Sequence, residues 1–494
     1  MNRRQFLMAS LAATVGHSVA ASVTQTAAAF AAPDWTLGWQ GTTADGYESV
    51  SMTVDGKIPE AVYGSLYRNG PARIERAGFR LQHWFDGDGM VQHIRLGPKD
   101  AEHEARFVQT TKYKEEQEAG RFLYGGAGTV LPDALPGRNN DTGNVANTAL
   151  LPWDDELLAL WEGGSAYRLD PDDLATLGRK DWRDDLVHMP FSAHPLLEAD
   201  GTMWNFGSAP YAGEDGMVFI YQIEPRTGVQ KVGAVELPVA SYMHSFAMTE
   251  RYLLFYLSPH RYQHGAETFV DSFGWDPELG SRVLLVDKND LSSQRWFEAP
   301  AGFVFHFAHA FERNGEVVAR MALYPDAGIM SHGMFELMRS DEAAVYPDYP
   351  RARLVSLRLD LASGKTRLDD TETLIEFPGV DSRYANSATP VFGVGHASDT
   401  QTTYSNAVVR VDADRGRVER YAFPKHQVVE EPLFVAGRPG DGSGWLVGTF
   451  LDYDREQTGV YVLNADNLKA GPVAVATMER HMPLGFHGCF VSRV

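Results

Sequence analysis

The feature that most constrains the fold of this chain is a strand–turn–strand pattern that recurs from residue 91 onward. In each copy, alternating apolar residues run into a tight turn rich in Asp, Asn, Gly or Pro, and a second strand-like segment follows. The seven copies begin near residues 91, 167, 218, 283, 355, 408 and 460, and the six intervals average about 61 residues. Period-two strands at this repeat length predict the four-stranded blades of a β-propeller with insertions.

Two all-β architectures could contain seven such units. A pair of β-sandwiches would need a linker rich in Pro, Gly and Ser near the middle of the chain, and the sequence has none there. We therefore predict one closed seven-bladed β-propeller that forms a single domain over residues 32–494. Helical patterns are confined to Glu102–Ala105 and Phe335–Met338, which are too short for a second domain. A hydrophobic content of 44% is typical of a globular protein with a large core.

Residues 1–31 resemble an export signal, and we do not expect them to be part of the fold. A twin arginine, Arg3-Arg4, precedes an Ala-rich apolar stretch, no acidic residue occurs before Asp34, and Ala29-Phe30-Ala31 resembles a cleavage site. This order is typical of a twin-arginine signal peptide. We therefore expect export to the periplasm. No later run reaches the ~18 apolar residues that span a bilayer, so we expect a soluble protein after cleavage.

The charge and the cysteine content exclude several classes of function. The chain has 44 basic and 65 acidic residues and a formal net charge of −21, which argues against nucleic acid as a partner because phosphate binding depends on an excess of Lys and Arg. The one cysteine, Cys489, can form neither an internal disulfide nor a Cys-rich metal site. Any metal must therefore be bound by His, Asp or Glu.

Four of the sixteen histidines stand among apolar, aromatic or small residues at or near predicted strand starts: His194, His244, His306 and His487. Most propeller histidines are surface residues, but desolvated imidazoles should be neutral, and neutral imidazole binds iron, copper or zinc. Their separations are 50, 62 and 181 residues, the last being about three repeat units. One ligand per blade, converging on the propeller axis, accounts for this spacing.

Two further motifs make the chain resemble a known family. Gly64–Pro71 reads Gly-Ser-Leu-Tyr-Arg-Asn-Gly-Pro, and His83–Met90 reads His-Trp-Phe-Asp-Gly-Asp-Gly-Met. Together with the histidine motifs, they resemble the carotenoid cleavage oxygenases, a family that includes apocarotenoid and stilbene-cleaving dioxygenases and the retinoid isomerase of the eye. The resemblance runs from about residue 40 to the end of the sequence.

The resemblance implies a seven-bladed propeller capped by loops and short helices over one non-haem Fe(II) on its axis. The implied ligands are the four histidines already singled out. His309 is the nearest rival for the third position, but the pattern Phe-Val-Phe-His favours His306.

In the family, three glutamates accept the outer N–H of three ligand imidazoles. The matching residues here are Glu162 in Leu-Trp-Glu-Gly-Gly, Glu376 in Ile-Glu-Phe-Pro and Glu431 in Glu-Pro-Leu-Phe-Val. Such bonds fix the imidazole tautomer and partly offset the charge of a divalent ion that has no anionic ligand. Glu430, next to Glu431, is expected to face solvent.

The implied reaction is the cleavage of a conjugated C=C bond by O2 to give two carbonyl products. No reducing cofactor is implied, because an electron-rich alkene supplies the electrons itself. An apolar tunnel would select one double bond. Its candidate residues are Trp161, Phe191, Phe305 and Phe486, although core packing accounts for such aromatic residues equally well.

Several alternatives remain open at this point. The four histidines would also be compatible with three other classes of protein. These are a stilbene-type alkene-cleaving dioxygenase, a carotenoid or retinoid binder or isomerase that does not cleave, and a zinc or copper hydrolase. Stilbene-cleaving relatives carry Lys before the first supporting glutamate, whereas this chain has Trp161 there, which favours an apocarotenal. A segment that is apolar and membrane-dipping in some relatives is polar here, at residues 258–265, so we expect at most peripheral membrane contact.

Overall fold

The described part of the chain is built almost entirely from antiparallel strands. The computed structural model describes residues 34–213, 215–338, 350–397, 404–437 and 443–493. Within these ranges, five separate four-stranded sheets follow one another, and consecutive strands pair in each. A ten-stranded sheet combines strands from both ends of the described chain. These sheets form a β-propeller, which confirms the predicted all-β class.

The strands of the four-stranded sheets are Ala149–Trp153, Glu156–Leu160, Tyr167–Leu169 and Thr176–Arg179; Leu196–Leu197, Met203–Ala209, Met217–Glu224 and Gly228–Glu236; Ala247–Met248, Tyr252–Leu257, Ser281–Asp287 and Gln294–Ala299; Phe303–Arg313, Glu316–Tyr324, Arg353–Asp360 and Thr366–Leu374; Glu376–Gly379, Val391–Gly395, Ala407–Asp412 and Arg417–Ala422. The ten-stranded sheet contains Gly46–Gly56, Gly64–Arg73, Asp88–Leu96, Ala101–Phe107, Gln427–Val429, Leu433–Ala436, Gly444–Asp452, Gln457–Asn464, Pro472–Thr477 and Gly488–Ser492. Two small sheets pair His260–Tyr262 with Phe273–Trp275, and Glu75–Arg76 with Phe79–Arg80.

Neighbouring sheets pack face to face through apolar side chains. Phe206 and Ile220 of the second four-stranded sheet share one buried cluster with Phe255 and Leu284 of the third. A central strand such as Tyr252–Leu257 is therefore buried at every position. Burial on both faces explains why the inner strands are continuous apolar runs, whereas buried and exposed positions alternate in the outer strands.

The ten-stranded sheet is where the chain closes on itself. Gly488–Ser492 pairs with Gly64–Arg73, so the last strand lies beside one of the first. The first half of Gly46–Gly56 pairs with Ala101–Phe107, and its second half pairs with Pro472–Thr477. One long strand therefore joins the early strands to the late ones, and the ring is held by backbone hydrogen bonds.

Helices are few and short in the described ranges. The α-helices are Thr111–Ala119 and Met334–Met338, a π-helix spans Ile329–Gly333, and the 3₁₀ helices are Asp34–Trp39, Glu60–Val62, Trp84–Asp86, Asn140–Gly143, Asp184–Leu186, Val270–Ser272, Pro277–Leu279, Ser382–Tyr384 and Leu468–Ala470. The longer α-helix begins where Thr110 Oγ1 accepts a hydrogen bond from the N–H of Tyr113, at 3.0 Å. It ends at Gly120, whose φ of 66° suits glycine.

The local predictions succeed where the pattern is strongly periodic. All seven predicted strand–turn–strand units are present as adjacent antiparallel strands. The prediction of a helix at Phe335–Met338 is confirmed by the helix Met334–Met338. The prediction at Glu102–Ala105 is wrong, because this segment belongs to the strand Ala101–Phe107, which has a paired strand on each side.

Two further predictions concern export and membranes. The predicted signal peptide, residues 1–31, lies outside the described residues. Among the described residues, no helix is long and apolar enough to cross a membrane. The polar segment 258–265 contains the strand His260–Tyr262 of a small two-stranded sheet.

Candidate metal centre

The four predicted histidines come together at one point. Each of them offers one ring nitrogen, and these four nitrogens all lie within 4.8 Å of one another: His194, His244, His306 and His487. Nε2 of His194 lies 2.8 Å from Nε2 of His244, and Nε2 of His306 lies 3.0 Å from Nε2 of His487. Side chains separated by up to 293 positions in the sequence therefore form one cluster.

The starts of strands position three of these side chains. His194 and His244 lie just before the short first strands Leu196–Leu197 and Ala247–Met248 of their sheets. His487 immediately precedes the strand that closes the ring.

His306 lies inside a strand, and a β-bulge places it. Val304 pairs with Leu323 and Phe307 with Met321, so Phe305 and His306 together face the single residue between these partners. The extra residue bends the strand and redirects the imidazole toward the cluster.

Three of the histidines contact a glutamate through their other ring nitrogen. His306 Nδ1 lies 2.6 Å from Glu376 Oε2, and His487 Nδ1 lies 2.8 Å from Glu431 Oε1. His244 Nδ1 likewise contacts Glu162 Oε1. A carboxylate only accepts, so each Nδ1 carries the proton and each Nε2 has a bare lone pair. In the described part of the chain, no carboxylate contacts the fourth histidine.

The donor set fits a bound cation. Nε2 of His306 and Nε2 of His487 face each other at 3.0 Å, and the Nδ1 bonds leave both without a proton. Two lone pairs at this distance repel each other unless a cation lies between them. Four imidazoles suit iron, copper or zinc better than magnesium or calcium, which prefer oxygen ligands.

Electrostatics favour the neutral form of His194 and His487 and the ionised form of Glu376 and Glu431. Burial lowers the pKa of His194, and the neighbouring imidazoles lower it further. Burial also lowers the pKa of His487, although the adjacent carboxylate opposes this. For Glu431, burial would raise the pKa, but His487 and Arg68 outweigh it and the net shift is downward. The pKa of Glu376 is lowered in the same way, because its hydrogen-bonded imidazole outweighs burial.

Arg68 was not predicted from the sequence as a site residue, and it is fully buried beside Glu431. Its Nη1 donates to Glu431 Oε2 at 2.9 Å, and its Nη2 donates to the backbone carbonyl of Glu431 at 2.8 Å. The available signal was its position in the motif Gly64–Pro71, since an arginine in an apolar strand requires a buried partner.

Tyr242 was also missed. Its hydroxyl donates to Glu162 Oε2 at 3.0 Å. Burial raises the pKa of Tyr242 well above its usual value, so the hydroxyl stays protonated and can donate. Its signal was its position two residues before His244, which places it at the same strand start.

The charges of the three histidine-bonded glutamates and of Arg68 match a divalent ion. The three glutamates that contact histidines carry three negative charges, and Arg68 carries one positive charge, so two negative charges remain. A divalent cation bound by neutral imidazoles would neutralise them. The residues therefore fit a group such as Fe(II).

An apolar cavity of about 450 Å³ lies against the cluster. His244, His306 and His487 line it. Three of the four predicted tunnel residues line it too: Trp161, Phe305 and Phe486. Two aromatic residues that were not predicted, Trp84 and Phe85, also line it. A cavity of this size, with apolar walls and a cluster of polar groups, can hold an organic molecule.

The prediction that Phe191 lines the tunnel is wrong. Phe191 is buried between sheets, where its ring stacks on Trp182 and Tyr221 with centroids 5.1 and 5.9 Å apart. It precedes His194 by three residues, but the chain turns between them, so Phe191 belongs to the packed core.

The prediction that Glu430 faces solvent is also wrong. Glu430 is 8% exposed and lines the cavity, and its Oε1 accepts a hydrogen bond from the N–H of Gly485 at 2.6 Å. The strand is interrupted between Val429 and Leu433, so simple alternation does not apply to this residue pair.

Two further histidines, His309 and His426, lie elsewhere. His309 Nδ1 lies 2.9 Å from the carbonyl oxygen of Ala385. His426 lies 3.4 Å from Asp452 and 3.5 Å from Asp454. Neither joins the four-histidine cluster.

Comparison with known proteins identifies the family. The model of the family described as retinal pigment epithelial membrane protein matches residues 41–492. The chain therefore belongs to this family, the carotenoid oxygenases, which confirms the resemblance seen in the sequence.

Its relatives match nearly the whole chain. The apocarotenoid-15,15′-oxygenase of a Synechocystis strain is 29% identical over 480 residues, covering 92% of this chain and 95% of that protein. An isoeugenol monooxygenase of Pseudomonas nitroreducens is 26% identical, covering 90% and 94%. The solved structure of cobalt-substituted Synechocystis apocarotenoid oxygenase has a TM-score of 0.82 at 27% identity, covering 93% of this chain and 98% of that chain.

Proposed function

We propose that this protein is an oxygenase that uses one Fe(II) per chain and O2 to cleave a C=C bond of a conjugated alkene. The observation that carries the proposal is the convergence of four imidazole nitrogens beside an apolar cavity, with three outer nitrogens bonded to glutamates. Membership of the carotenoid oxygenases supports the same reaction. In the net reaction the C=C bond breaks and each carbon gains one oxygen atom of O2, so no external reductant is needed.

Each group has a defined task in this reaction. The four histidines would hold the metal through Nε2, and the three glutamates fix the tautomer and orientation of their imidazoles. Bound iron supplies the activation of O2 toward the alkene. The aromatic walls, including Trp161 and Phe305, would hold the alkene in one orientation and exclude water.

We propose an apocarotenal as the substrate class. Trp161 lines the cavity immediately before Glu162 and offers a ring for stacking on a polyene but no cation for a phenolate. A phenylpropanoid or stilbene-type alkene is the second candidate, since relatives at 26–27% identity are named isoeugenol monooxygenases. A side-by-side assay of O2 consumption and aldehyde products is expected to show faster cleavage of apocarotenals than of hydroxystilbenes.

Metal analysis of anaerobically prepared protein, followed by an O2-uptake assay, tests the reaction class. We expect about one iron per chain and stoichiometric uptake of O2 with two carbonyl products. An isomerised product without O2 uptake would indicate an isomerase, and binding without any product would indicate a binding protein. Zinc or copper at full occupancy, with ester or amide hydrolysis, would contradict the proposal.

We infer that the propeller has seven blades. The ten-stranded sheet would supply two of them, one from Gly488–Ser492 and the strands of residues 64–107, the other from the strands of residues 427–477. The two halves of Gly46–Gly56 pair with different blades and join them, which supports this division. An experimental structure that separates fewer blades around the axis would contradict it.

We also propose export through the twin-arginine pathway, on the pattern Arg3-Arg4 followed by an apolar stretch. Replacing both arginines by lysine is expected to leave the protein in the cytoplasm. Unchanged periplasmic recovery of that variant would contradict the proposal. Membrane contact is proposed to be peripheral at most, and flotation with lipid vesicles measures it.

A further inference from the structure

One carboxylate in the cavity has no role in the metal centre. Four glutamates line the cavity, and three of them contact histidines. The fourth, Glu430, contacts none of the cluster, and no Lys, Arg or His among the described residues forms an ion pair with it.

The structure holds Glu430 firmly in place. Its backbone N–H donates to the carbonyl of Thr449 at 3.0 Å, and its backbone carbonyl accepts the hydroxyl of Tyr461 at 3.1 Å. The side-chain Oε1 accepts the N–H of Gly485 at 2.6 Å. The side chain is therefore preorganised, with one oxygen already used.

The second oxygen, Oε2, has no protein donor among the described residues. Oε2 is not among the buried polar atoms that lack a partner, so this oxygen is accessible although the residue as a whole is only 8% exposed and lines the cavity. An accessible carboxylate oxygen is a strong hydrogen-bond acceptor. A ligand that donates a hydrogen bond at this point would pair with it.

We infer that Glu430 is a specificity-determining residue that accepts a hydrogen bond from a hydroxyl group of the alkene substrate. This inference rests on the proposed function, because it names the substrate class of the same cavity. Glu430 precedes Glu431, and its partner Gly485 lies two residues before His487, so a bound hydroxyl would lie near the histidine cluster. A neutral hydroxyl fits better than an ammonium group, which would add a second cation near the proposed metal.

The hydroxyl could belong to the ring of an apocarotenal or to a phenol, and two substrate pairs distinguish these sources. One pair is an apocarotenal with and without a ring hydroxyl; the other is a hydroxystilbene and its methyl ether. Binding of each compound to the iron-loaded protein is measured without O2 by quenching of tryptophan fluorescence. In one of the two pairs, wild type is expected to bind the hydroxylated compound about 10–100-fold more tightly than the compound without the free hydroxyl.

The variant is Glu430→Gln, whose amide oxygen can still accept the N–H of Gly485 but carries no charge. It is expected to lose most of the preference for the hydroxylated member, while its affinity for the other member and its iron content stay unchanged. Glu236→Gln, at an exposed position, is the matched control and should behave as wild type.

Two results would overturn the inference: an unchanged preference in Glu430→Gln, or an equal loss of affinity for both members together with loss of iron. The second result would make Glu430 a support for the segment from Gly485 to His487. If the preference depends on Glu430 but no compound is cleaved when O2 is added, the proposed function fails and the binding role stands.

Discussion

His487 and His244 are supported by glutamates in the same way, but these two glutamates have different surroundings. Glu431, behind His487, forms an ion pair with the fully buried Arg68. Glu162, behind His244, has about a quarter of its side chain exposed and accepts a neutral hydroxyl from Tyr242.

The two carboxylate charges are therefore compensated to different degrees. On the Glu431 side, the full positive charge of Arg68 pairs with the carboxylate and ties it to the strand Gly64–Arg73, which pairs with the closing strand Gly488–Ser492. On the Glu162 side, a neutral hydroxyl leaves the negative charge less compensated, although both glutamates line the cavity. We therefore expect the Glu431 side to contribute more to stability.

Removing an imidazole on either side should have the largest effect. His487→Ala and His244→Ala are each expected to lose most of the bound iron and all cleavage, because the remaining nitrogens no longer enclose the ion. Iron content and product formation measure this. His309→Ala and His426→Ala, outside the cluster, should retain both. Full iron occupancy in His487→Ala would show that the four-histidine assignment is wrong.

Replacing Arg68 should expose the difference in stability. Arg68→Met removes the fully buried charge that pairs with a largely buried carboxylate, and loss of such a partner typically costs about 3–5 kcal/mol of folding free energy. Urea denaturation measures the change, with Arg183→Met as the control, because Arg183 and its partner Asp185 are both exposed. A loss below about 1 kcal/mol would show that Glu431 does not need its ion pair.

Replacing each glutamate by glutamine should give a smaller effect on activity. Glu431→Gln and Glu162→Gln keep an acceptor for Nδ1, so activity should fall by about 10–100-fold with the fold intact. The fall should be greater for Glu431→Gln, because the charge of Arg68 is then left without a partner. Initial rates and iron content check this, and wild-type activity in Glu431→Gln would contradict it.

Tyr242→Phe should have the smallest effect on stability. It removes one hydrogen bond to a carboxylate that the cavity partly hydrates, so we expect a loss of about 1 kcal/mol. Thermal denaturation of Tyr242→Phe and of Arg68→Met tests whether the loss of stability is smaller for Tyr242→Phe. A loss as large as that of Arg68→Met would remove the distinction between the two sides.

The features that could be predicted from the sequence are those contained in short stretches of the chain. The strand–turn–strand units and the histidine motifs are contained in short stretches, and the glutamates were found through the family resemblance. Arg68 and Glu431 are 363 positions apart, so their pairing depends on ring closure and not on any local pattern. Glu430 and Phe191 were misplaced for a related reason: an interrupted strand and a turn changed which way each side chain points.

The pairing of Gly488–Ser492 with Gly64–Arg73 also has a consequence for biosynthesis. Three of the four histidines emerge from the ribosome long before His487, which follows His306 by 181 residues. Until the closing strand docks, the nascent chain has an incomplete site whose three histidines would bind a metal weakly and without selectivity. Loading of the proposed metal would therefore be coupled to the docking of this strand, and an unfinished chain would not acquire a reactive ion.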